Sequence, residues 1–414
     1  MQDPRWPTYT PRNMMLEAAV PPDDGGRGSV YITDAEGNVI LDAMCGIGCL
    51  PLGHAHPGLA DAVHQQMMRL TAAAGTLWTE PQQALARELV ERTPIPDGRV
   101  FLGNTGTEVN EAAIKLALRA TGRDVIIGFE RAFHGRTLGS IALTANPKYR
   151  EPYVSCLEEP EDRFARINVA RATYGDLDSV EAVLSRYEGR VAAVFLEPIQ
   201  GEAGIYPAER SFLEGLRQLC NRHGALLGAD EIQCGAGRTG HFTAWSRIMG
   251  DDPAVAPDIL WYAKALGGGF PIGACVARKS LADHMTPGSH GSTFGGNPVA
   301  SAAAVATLRI MDEEDLMTSA GAQLETLRGI AAQNPHARVK DVRGLGSMIG
   351  IEIEGEGQTP AAPLGGILKG KNMLATVCSG RTVRWLFPYR VGETILREAW
   401  SRLCSALDEL PGSV

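Results

Sequence analysis

The chain has 414 residues, of which 44% are apolar and 21% charged, and its formal net charge is −9. This composition is typical of a soluble globular protein, and the absence of a Lys/Arg block argues against a nucleic-acid or anionic-membrane partner. No apolar run is long enough to span a bilayer, and the charged, proline-containing N-terminus is unlike a signal peptide. We therefore expect a cytoplasmic protein with one larger and one smaller domain.

The predicted elements begin in a Pro- and Gly-rich stretch, residues 1–55, where Gly28–Ile32 and Val39–Ala43 are strand-like. Five short apolar runs follow, each with a polar residue at its end: Arg99–Asn104, Asp124–Glu130, Val191–Glu197, Gly224–Asp230 and Asp258–Lys264. Near-continuous apolar runs of this length predict strands buried on both faces of a parallel sheet. Between them, apolar residues at spacings of three and four predict helices that end at Gly122 and Gly224.

This alternation of strands and helices predicts a large α/β domain over residues 56–299. Residues 1–55 and 300–414 are assigned to a smaller α+β domain. The last of these segments contains two predicted helices and two short strands: Ala300–Met311, Glu393–Leu407, Met348–Ile353 and Thr382–Leu386. Ligands bind at the carboxyl ends of strands in such sheets, so the polar residues there should share one rim. These residues are Asn104, Glu130, Glu197, Asp230 and Lys264.

Three of the strand ends carry candidate chemistry. Thr105 and Glu108 have the spacing of a capping box, and the free N–H groups of the helix that it starts predict an anion site. Asp230 ends a buried strand, where a carboxylate needs a cationic partner. Lys264 precedes three glycines. A lysine in this position either forms a structural pair or has a depressed pKa and acts as a nucleophile.

Two other classes of protein are open alternatives. A GxGxxG run from Gly235 to Gly240 raises the possibility of a nicotinamide-dependent oxidoreductase, but polar residues separate the run from its strand. A catalytically silent α/β binding protein is the other alternative.

The eight scattered cysteines and the pair His54 and His56 lack the spacing of a metal site, so we expect no metal and no disulfide framework.

Longer motifs extend from these segments. They are Gly53-His-Ala-His-Pro, Asn104-Thr-Gly-Thr-Glu-Val-Asn-Glu, Phe133-His-Gly-Arg-Thr-Leu, Glu197-Pro-Ile-Gln-Gly-Glu-Ala-Gly, Asp230-Glu-Ile-Gln-Cys-Gly, Ala263-Lys-Ala-Leu-Gly-Gly-Gly and Ser292-Thr-Phe-Gly-Gly-Asn-Pro. Through these motifs nearly the whole chain resembles the class III (subgroup II) aminotransferases, closest to the acetylornithine aminotransferase branch. The resemblance implies the fold type I of pyridoxal 5′-phosphate (PLP) enzymes, which is aspartate-aminotransferase-like. It also implies a homodimer with shared active sites.

The resemblance also implies roles for the residues that contact the cofactor. Lys264 would carry PLP as a Schiff base and transfer the proton during catalysis, and Asp230 would pair with the pyridine nitrogen. Gln233 would hydrogen-bond the phenolic oxygen, and Phe133 would stack on the ring. The implied phosphate contacts are Gly106, Thr107 and Thr293 of the partner subunit.

Four residues are implied to bind substrate, an amino acid and then a 2-oxo acid in a ping-pong reaction. Arg136 would bind a carboxylate of 2-oxoglutarate, and Arg384 would bind the α-carboxylate of glutamate. Glu202 would neutralise Arg384 when an amine end enters instead. Ser292 is expected at the substrate mouth.

The identity of the amino donor stays open at this point. Ile47 stands where ornithine aminotransferases have a tyrosine, which favours an acylated ornithine. The segment Ala73–Trp78 departs from the family pattern at the substrate mouth. 4-Aminobutyrate, ornithine, diaminobutyrate or a secondary-metabolite intermediate are the alternative donors, and an aminomutase of the glutamate-1-semialdehyde type is a more distant one.

Three further features are interpreted as structural. Glu130 is expected to support its strand end, and His134 is expected to support the site from behind the residues that contact the cofactor. The adjacent Met67 and Met68 of a predicted helix are expected in the core.

Overall fold

A computed structural model of the chain describes residues 14–21, 27–154, 167–354 and 361–410. Its strands are β1 (Leu16–Ala19), β2 (Tyr31–Asp34), β3 (Val39–Asp42), β4 (Arg99–Gly103), β5 (Val125–Phe129), β6 (Asn168–Ala172), β7 (Val191–Leu196), β8 (Ile199–Gln200), β9 (Tyr206–Pro207), β10 (Leu226–Asp230), β11 (Ile259–Tyr262), β12 (Gly273–Ala277), β13 (Val339–Leu345), β14 (Met348–Ile353), β15 (Met373–Leu374), β16 (Thr376–Cys378) and β17 (Thr382–Trp385).

The helices alternate with these strands. They are α1 (Cys45–Gly48), α2 (Pro57–Arg69), α3 (Glu80–Glu91), α4 (Gly106–Thr121), α5 (Leu138–Leu143), α6 (Pro147–Val154), α7 (Leu177–Arg186), α8 (Arg210–His223), α9 (Ala244–Met249), α10 (Lys279–Ala282), α11 (Pro298–Glu313), α12 (Leu316–Gln333), α13 (Ala361–Gly370) and α14 (Glu393–Asp408), with a 3-10 turn at Lys264–Gly267. None of the described helices combines the length and apolarity needed to cross a membrane.

The central sheet has seven strands in the order β4-β12-β11-β10-β7-β5-β6. Strand β12 alone is antiparallel to its neighbours β11 and β4, and the other pairings are parallel. Strands β5, β7, β11 and β12 are buried along their whole length, as expected for strands covered on both faces. The predicted α/β fold with a mostly parallel sheet is therefore confirmed.

The five apolar runs became β4, β5, β7, β10 and β11, each within two residues of its predicted end. The predicted glycine caps are also confirmed, because Gly122 and Gly224 are both in the left-handed conformation at the ends of α4 and α8. Strands β6 and β12 were not predicted. Three residues separate strand β12 from the glycines that follow Lys264, and its antiparallel direction leaves no mark in the local pattern.

A second structural unit is built by the two ends of the chain together. Strands β13, β14, β17 and β16 form an antiparallel sheet, and β15 pairs in parallel with β3 in the sheet of β1 and β2. Helices α12 and α14 pack together over a core that includes Ile351, Trp385 and Trp400. Helix α11 instead packs on α2 and α3 beside the central sheet. The domain boundaries at residues 55/56 and 299/300 stay a prediction.

The prediction that Met67 and Met68 are core residues is wrong. Helix α2 buries Leu59, Val63 and Gln66, which lie on one face at helical spacing. Met67 lies at the edge of this face and Met68 on the opposite side of the helix, and they are 54% and 75% exposed.

Candidate active site

A cavity of about 350 Å³ opens at the carboxyl edge of the central sheet. Four of the five strand-end residues predicted to share this rim line the cavity: Asn104, Glu197, Asp230 and Lys264. The fifth, Glu130, is exposed at the end of β5. Its backbone carbonyl accepts a hydrogen bond from the Gln200 side chain at 2.8 Å, and a structural role for the Glu130 side chain stays a prediction.

One wall of the cavity is the loop that leads from β4 into α4. Thr105 caps α4 by accepting a hydrogen bond from the Glu108 N–H at 3.4 Å. The carboxylate of Glu108 does not complete the predicted capping box at Thr105, but accepts from the backbone and side-chain nitrogens of Asn104 at 2.6 and 3.0 Å. A Cβ on Gly106 would lie 2.8 Å from Cδ1 of Ile232, so a larger residue there would require the Ile232 side chain to shift. Thr105, Gly106 and Thr107 line the cavity, so the N-terminus of α4 adjoins it, which suits an anion.

Opposite charges meet at Asp230, which is only 3% exposed. Its carboxylate accepts hydrogen bonds from the backbone N–H of Ile232 at 3.0 Å and contacts His134 Nδ1 at 2.7 Å. Burial disfavours the charged imidazolium of His134, but the hydrogen bond to Asp230 together with the charges of Asp230 and Glu197 outweighs burial, so the pKa of His134 is raised. His134 Nε2 is buried and has no hydrogen-bond partner among the residues that the structure describes. The structure thus gives His134 a specific contact that the sequence did not reveal.

Lys264 lies at the start of the 3-10 turn after β11, with φ at 45°. A positive φ is strained for a side chain with a Cβ, and such strain concentrates at functional sites. Burial lowers the pKa of the Lys264 amine, and the nearby positive charge of Arg384 lowers it further. Glu202, Cys49 and Asp230 act in the opposite direction without reversing the shift. This lysine is therefore poised to lose its proton.

Glu197, also on the cavity wall, is a buried carboxyl group. Its two oxygens accept hydrogen bonds from the backbone N–H groups of Phe133 and Gly201 at 2.9 and 3.2 Å. Burial raises the pKa of Glu197 to about 7, even though the His134 charge favours ionisation. The carboxyl group thereby fixes the segment that carries Phe133 against the cavity.

A buried arginine adjoins the cavity at Gln233. Arg384 is 2% exposed, and its Nη1 donates to Glu202 Oε1 at 2.6 Å and to Gln233 Oε1 at 3.1 Å. Burial opposes the charge of Glu202, but Arg384 more than compensates and lowers the pKa of Glu202. The Glu202 side chain is 36% exposed, in the turn before β9. The pair therefore combines a fixed arginine with a carboxylate that has room to move.

Six of the eleven predicted site residues line the cavity directly: Gly106, Thr107, Phe133, Asp230, Gln233 and Lys264. Arg136 lies beside them, with its guanidinium 5.2 Å from the Phe133 ring centre and 4.6 Å from that of Tyr149. The hydroxyl of Thr107 shares a hydrogen bond of 2.8 Å with the hydroxyl of Thr137. Arg384 contacts the cavity-lining residue Gln233, and Glu202 contacts Arg384.

Ser292 and Thr293 lie apart from the cavity of their own chain. Ser292 accepts hydrogen bonds from the Asn104 side chain and from the Gly295 N–H, both at 3.1 Å. It lines a separate groove of about 1190 Å³, together with Gly75, Trp78 and His290. Thr293 is exposed.

The alternative of a dinucleotide fingerprint is not supported by the local structure. Gly235 and Gly240 lie in consecutive turns between β10 and α9, and Arg238 between them is buried. Its guanidinium donates hydrogen bonds to the carbonyls of Phe387 and Gly48 at 2.6 and 3.2 Å. This run joins distant segments and does not begin a helix, as a phosphate-binding glycine loop must.

The two histidines of the His54-Ala-His56 motif lie in different surroundings. His54 Nε2 contacts Asp42 at 2.9 Å, and the Cys45 thiol donates to the Asp42 carbonyl at 3.1 Å. These three side chains have the proximity of metal ligands, yet hydrogen bonds among themselves and the backbone already occupy them. His56 contacts Glu314 instead. The seven described cysteines are free thiols.

Cys49 is one of the cavity-lining residues for which the sequence predicted no role. Cys49 follows α1, whose residues Cys45 to Gly48 all have positive φ, from 47° to 82°. This left-handed turn brings Cys49 into the cavity near Lys264. Only the two glycines within the turn signal such a conformation in the sequence, which is too weak a mark to identify it.

Comparison with known proteins decides the family. The aminotransferase class-III family model matches residues 24–407. The chain belongs to the class-III aminotransferases. Acetylornithine aminotransferase of Corynebacterium efficiens is 39% identical to it, over 97% of each chain. The enzyme of that name from Mycolicibacterium smegmatis is 43% identical, over 82% of this chain and 83% of the relative.

Solved structures agree with this assignment. N-acetylornithine aminotransferase of Stenotrophomonas maltophilia superposes with a TM-score of 0.77 at 30% identity, over 96% of each chain. An ornithine aminotransferase of Toxoplasma gondii superposes with a TM-score of 0.83 at 27% identity, over 98% of this chain and 92% of its own, and contains PLP at partial occupancy in its active site. The protein is thus a PLP-dependent transferase of fold type I.

The cavity fits this cofactor. A helix N-terminus suits its phosphate, a buried carboxylate suits a protonated pyridine nitrogen, and a lysine of lowered pKa suits its aldehyde. Gly106 and Thr107, the first residues of α4, line the cavity where the phosphate would bind.

Proposed function

We propose that this aminotransferase moves an amino group from an ω-amino donor of the N-acetylornithine type to 2-oxoglutarate, in a ping-pong reaction. The observation that carries the proposal is the ion pair beside the cavity in which Arg384 Nη1 lies 2.6 Å from Glu202 Oε1. An arginine that must bind the α-carboxylate of glutamate is an uncompensated charge when an ω-amine end enters. A carboxylate that covers it in one half-reaction and withdraws in the other resolves this conflict. The names of the relatives supply the donor type.

Four residues in and behind the cavity wall are assigned to the chemistry of the cofactor. The amine of Lys264 binds the cofactor and then transfers the substrate proton, which its lowered pKa favours. Asp230, supported by His134, keeps a positive charge on the pyridine nitrogen. When bound, PLP supplies the electron-withdrawing ring that accepts the electron pair released with that proton. Gln233 is assigned to the phenolic oxygen.

The remaining roles concern binding. Phe133 covers one face of the ring. The phosphate is bound by Gly106 and Thr107 at the N-terminus of α4. Arg136, held beside Phe133, binds the distal carboxylate of 2-oxoglutarate. Its planar guanidinium matches a carboxylate better than a lysine amine does.

We also propose a homodimer in which Thr293 of the partner subunit completes the phosphate site and Ser292 lies at the substrate mouth. The exposure of Thr293 and of three large apolar side chains supports this: Phe294 is 65% exposed, and Leu77 and Trp78 are 61% and 81% exposed. Exposed apolar groups of this size are typical of protein interfaces.

The proposed compartment is the cytoplasm, where the free thiols of the described cysteines are stable.

The donor assignment is tested by measuring glutamate formed from 2-oxoglutarate with each candidate amine. We expect kcat/KM for N-acetylornithine to exceed that for ornithine by at least about tenfold, the discrimination that one changed contact region provides. Ornithine is the matched control because it lacks only the acetyl group. A preference for ornithine, 4-aminobutyrate or diaminobutyrate would overturn the donor assignment and leave the aminotransferase class intact.

A further inference from the structure

The hairpin formed by β16 and β17 contacts Arg384 at a nitrogen that Glu202 does not use. Thr376 on β16 is directly opposite Arg384 on β17 in the antiparallel register. Arg384 Nε donates a hydrogen bond to Thr376 Oγ1 at 3.1 Å, while Nη1 donates to Glu202 and Gln233. Directly opposed residues lie on the same face of a sheet, so the strand pairing itself brings the hydroxyl to the guanidinium.

We propose that Thr376 is a positioning residue that fixes the guanidinium plane of Arg384 for the substrate carboxylate. This inference rests on the proposed function, in which Arg384 binds that carboxylate. A guanidinium is planar, so a bond at Nε orients both Nη groups at the same time. Thr376 is suited to this because its hydroxyl is neutral. It orients the arginine without cancelling the positive charge that attracts the substrate.

The need for such a group arises when Glu202 withdraws. Arg384 then loses its ionic partner, and its long side chain gains freedom that the incoming carboxylate must restrict again. Thr376 does not have to move at that moment, because it occupies a different nitrogen. The arginine therefore stays oriented in both half-reactions, while only its contact at Nη1 is exchanged.

The same hairpin also holds the backbone that carries Glu202. The Ser379 hydroxyl, in the turn between β16 and β17, lies 3.1 Å from the Glu202 carbonyl and 2.7 Å from the Ala203 carbonyl. With this backbone fixed, exchange requires rotation of the Glu202 side chain only. One structural element thus sets the positions of both members of the pair.

The test uses Thr376→Val, which keeps the β-branched shape and removes the hydroxyl. Thr382→Val is the matched control: Thr382 lies on β17 of the same hairpin, and its hydroxyl accepts from Arg343 Nη2 at 3.0 Å. Single-turnover spectra of the PLP-loaded enzymes give the rate and half-saturation constant of each half-reaction. Losing a hydrogen bond to a charged group predicts a roughly tenfold higher half-saturation constant for glutamate in Thr376→Val.

The donor half-reaction of Thr376→Val should change by less than about twofold, and Thr376→Ser should recover most of the glutamate affinity, because serine restores the acceptor. Thr382→Val should match the wild type for glutamate even where its melting temperature falls. Equal glutamate constants for Thr376→Val and Thr382→Val would overturn the inference. If Thr376→Val does not fold, Thr376→Ala is compared with Thr382→Ala in the same way.

A further variant separates this inference from the function on which it rests. Arg384→Lys keeps the charge but loses the planar guanidinium, so it should weaken glutamate at least as much as Thr376→Val. If Arg384→Lys weakens glutamate and Thr376→Val does not, only the positioning role fails. If Arg384→Lys leaves glutamate binding unchanged, the proposed role of Arg384 itself fails.

Discussion

At the scale of single residues, the cavity contains charged groups whose neighbours control their protonation. Burial lowers the pKa of Lys264, raises that of Glu197 to about 7, and is outweighed by Asp230 at His134. Lys264 and Asp230 were predicted from their positions at strand ends. The contact of His134 with Asp230 was not, because these residues are 96 positions apart in the chain and only the fold brings them together.

The proposed exchange at Arg384 gives opposite predictions for its two members. Arg384→Ala removes the group assigned to the glutamate carboxylate, so it should lower kcat/KM of the glutamate half-reaction by about thirtyfold or more, equivalent to ~2 kcal/mol. The ω-amine half-reaction should suffer much less. Glu202→Ala leaves Arg384, which is 2% exposed, without its ionic partner. This variant should impair the ω-amine half-reaction and leave the glutamate half-reaction unchanged.

Single-turnover spectra with each substrate alone measure the two half-reactions independently. Equal losses in both half-reactions for both variants would reduce Arg384 and Glu202 to a structural ion pair. The case for glutamate as the second substrate would then lose its main support.

At the scale of elements, the local sequence determined strands and helices well where their pattern was strong. Strands β5, β7 and β11 and the two glycine-capped helices were predicted, as was β14 at Met348–Ile353. Strand β12 and the left-handed turn at Cys45–Gly48 were not. Both depend on tertiary contacts. Strand β12 lies between β11, which precedes it in the chain, and β4, which is distant in sequence. The turn includes Ile47, a β-branched residue with φ at 64°.

The junction between β10 and α9 contains a carboxyl group whose burial should make stability depend on pH. Glu231 accepts the N–H groups of Ala244 and Trp245, both at 2.8 Å, and burial raises its pKa to about 7 from an ordinary 4.5. The folded protein therefore holds this proton more tightly than the unfolded chain. The resulting stabilisation is complete below about pH 4.5 and is lost as the pH rises through 7.

Glu231→Gln removes this titration and should be compared with the wild type by urea unfolding at pH 5 and pH 8. Glutamine loses one acceptor at every pH, so the variant is less stable at pH 5. The wild type's advantage in unfolding free energy should shrink by an amount on the order of 3 kcal/mol between the two pH values. A pH-independent difference would show that Glu231 is ionised normally in the folded protein.

At the scale of the whole molecule, the two ends of the chain pair at β3 and β15, and the N-terminal part adds Cys49 to the cavity that the central sheet supplies. The fold class followed from the alternation of elements. The placement of Ser292 and Thr293 did not, because they lie outside the cavity of their own chain. Their proposed role requires a second copy, which the resemblance to the class III aminotransferases implied but the alternation of elements did not.

Subunit mixing tests this shared site. Thr293→Asp should lose PLP through repulsion of its phosphate, and Lys264→Ala should lose activity in its own subunit. In a mixed dimer the Thr293→Asp subunit keeps Lys264 and receives an intact Thr293 from its partner. Mixing equal amounts should therefore restore up to about a quarter of wild-type activity, since half of the dimers each regain one of two sites. No recovery in demonstrated mixed dimers would place Thr293 outside the partner's site.

The central claim is that Lys264 holds the PLP of this enzyme, and covalent trapping measures it most directly. The purified protein should absorb visible light through the bound cofactor, and borohydride should abolish that absorption and fix the cofactor to the chain. Peptide mapping should then locate it on Lys264, while Lys264→Ala should retain no covalent label and lose amino transfer by several orders of magnitude. A label on another lysine, or a colourless protein that takes up no added PLP, would contradict the account.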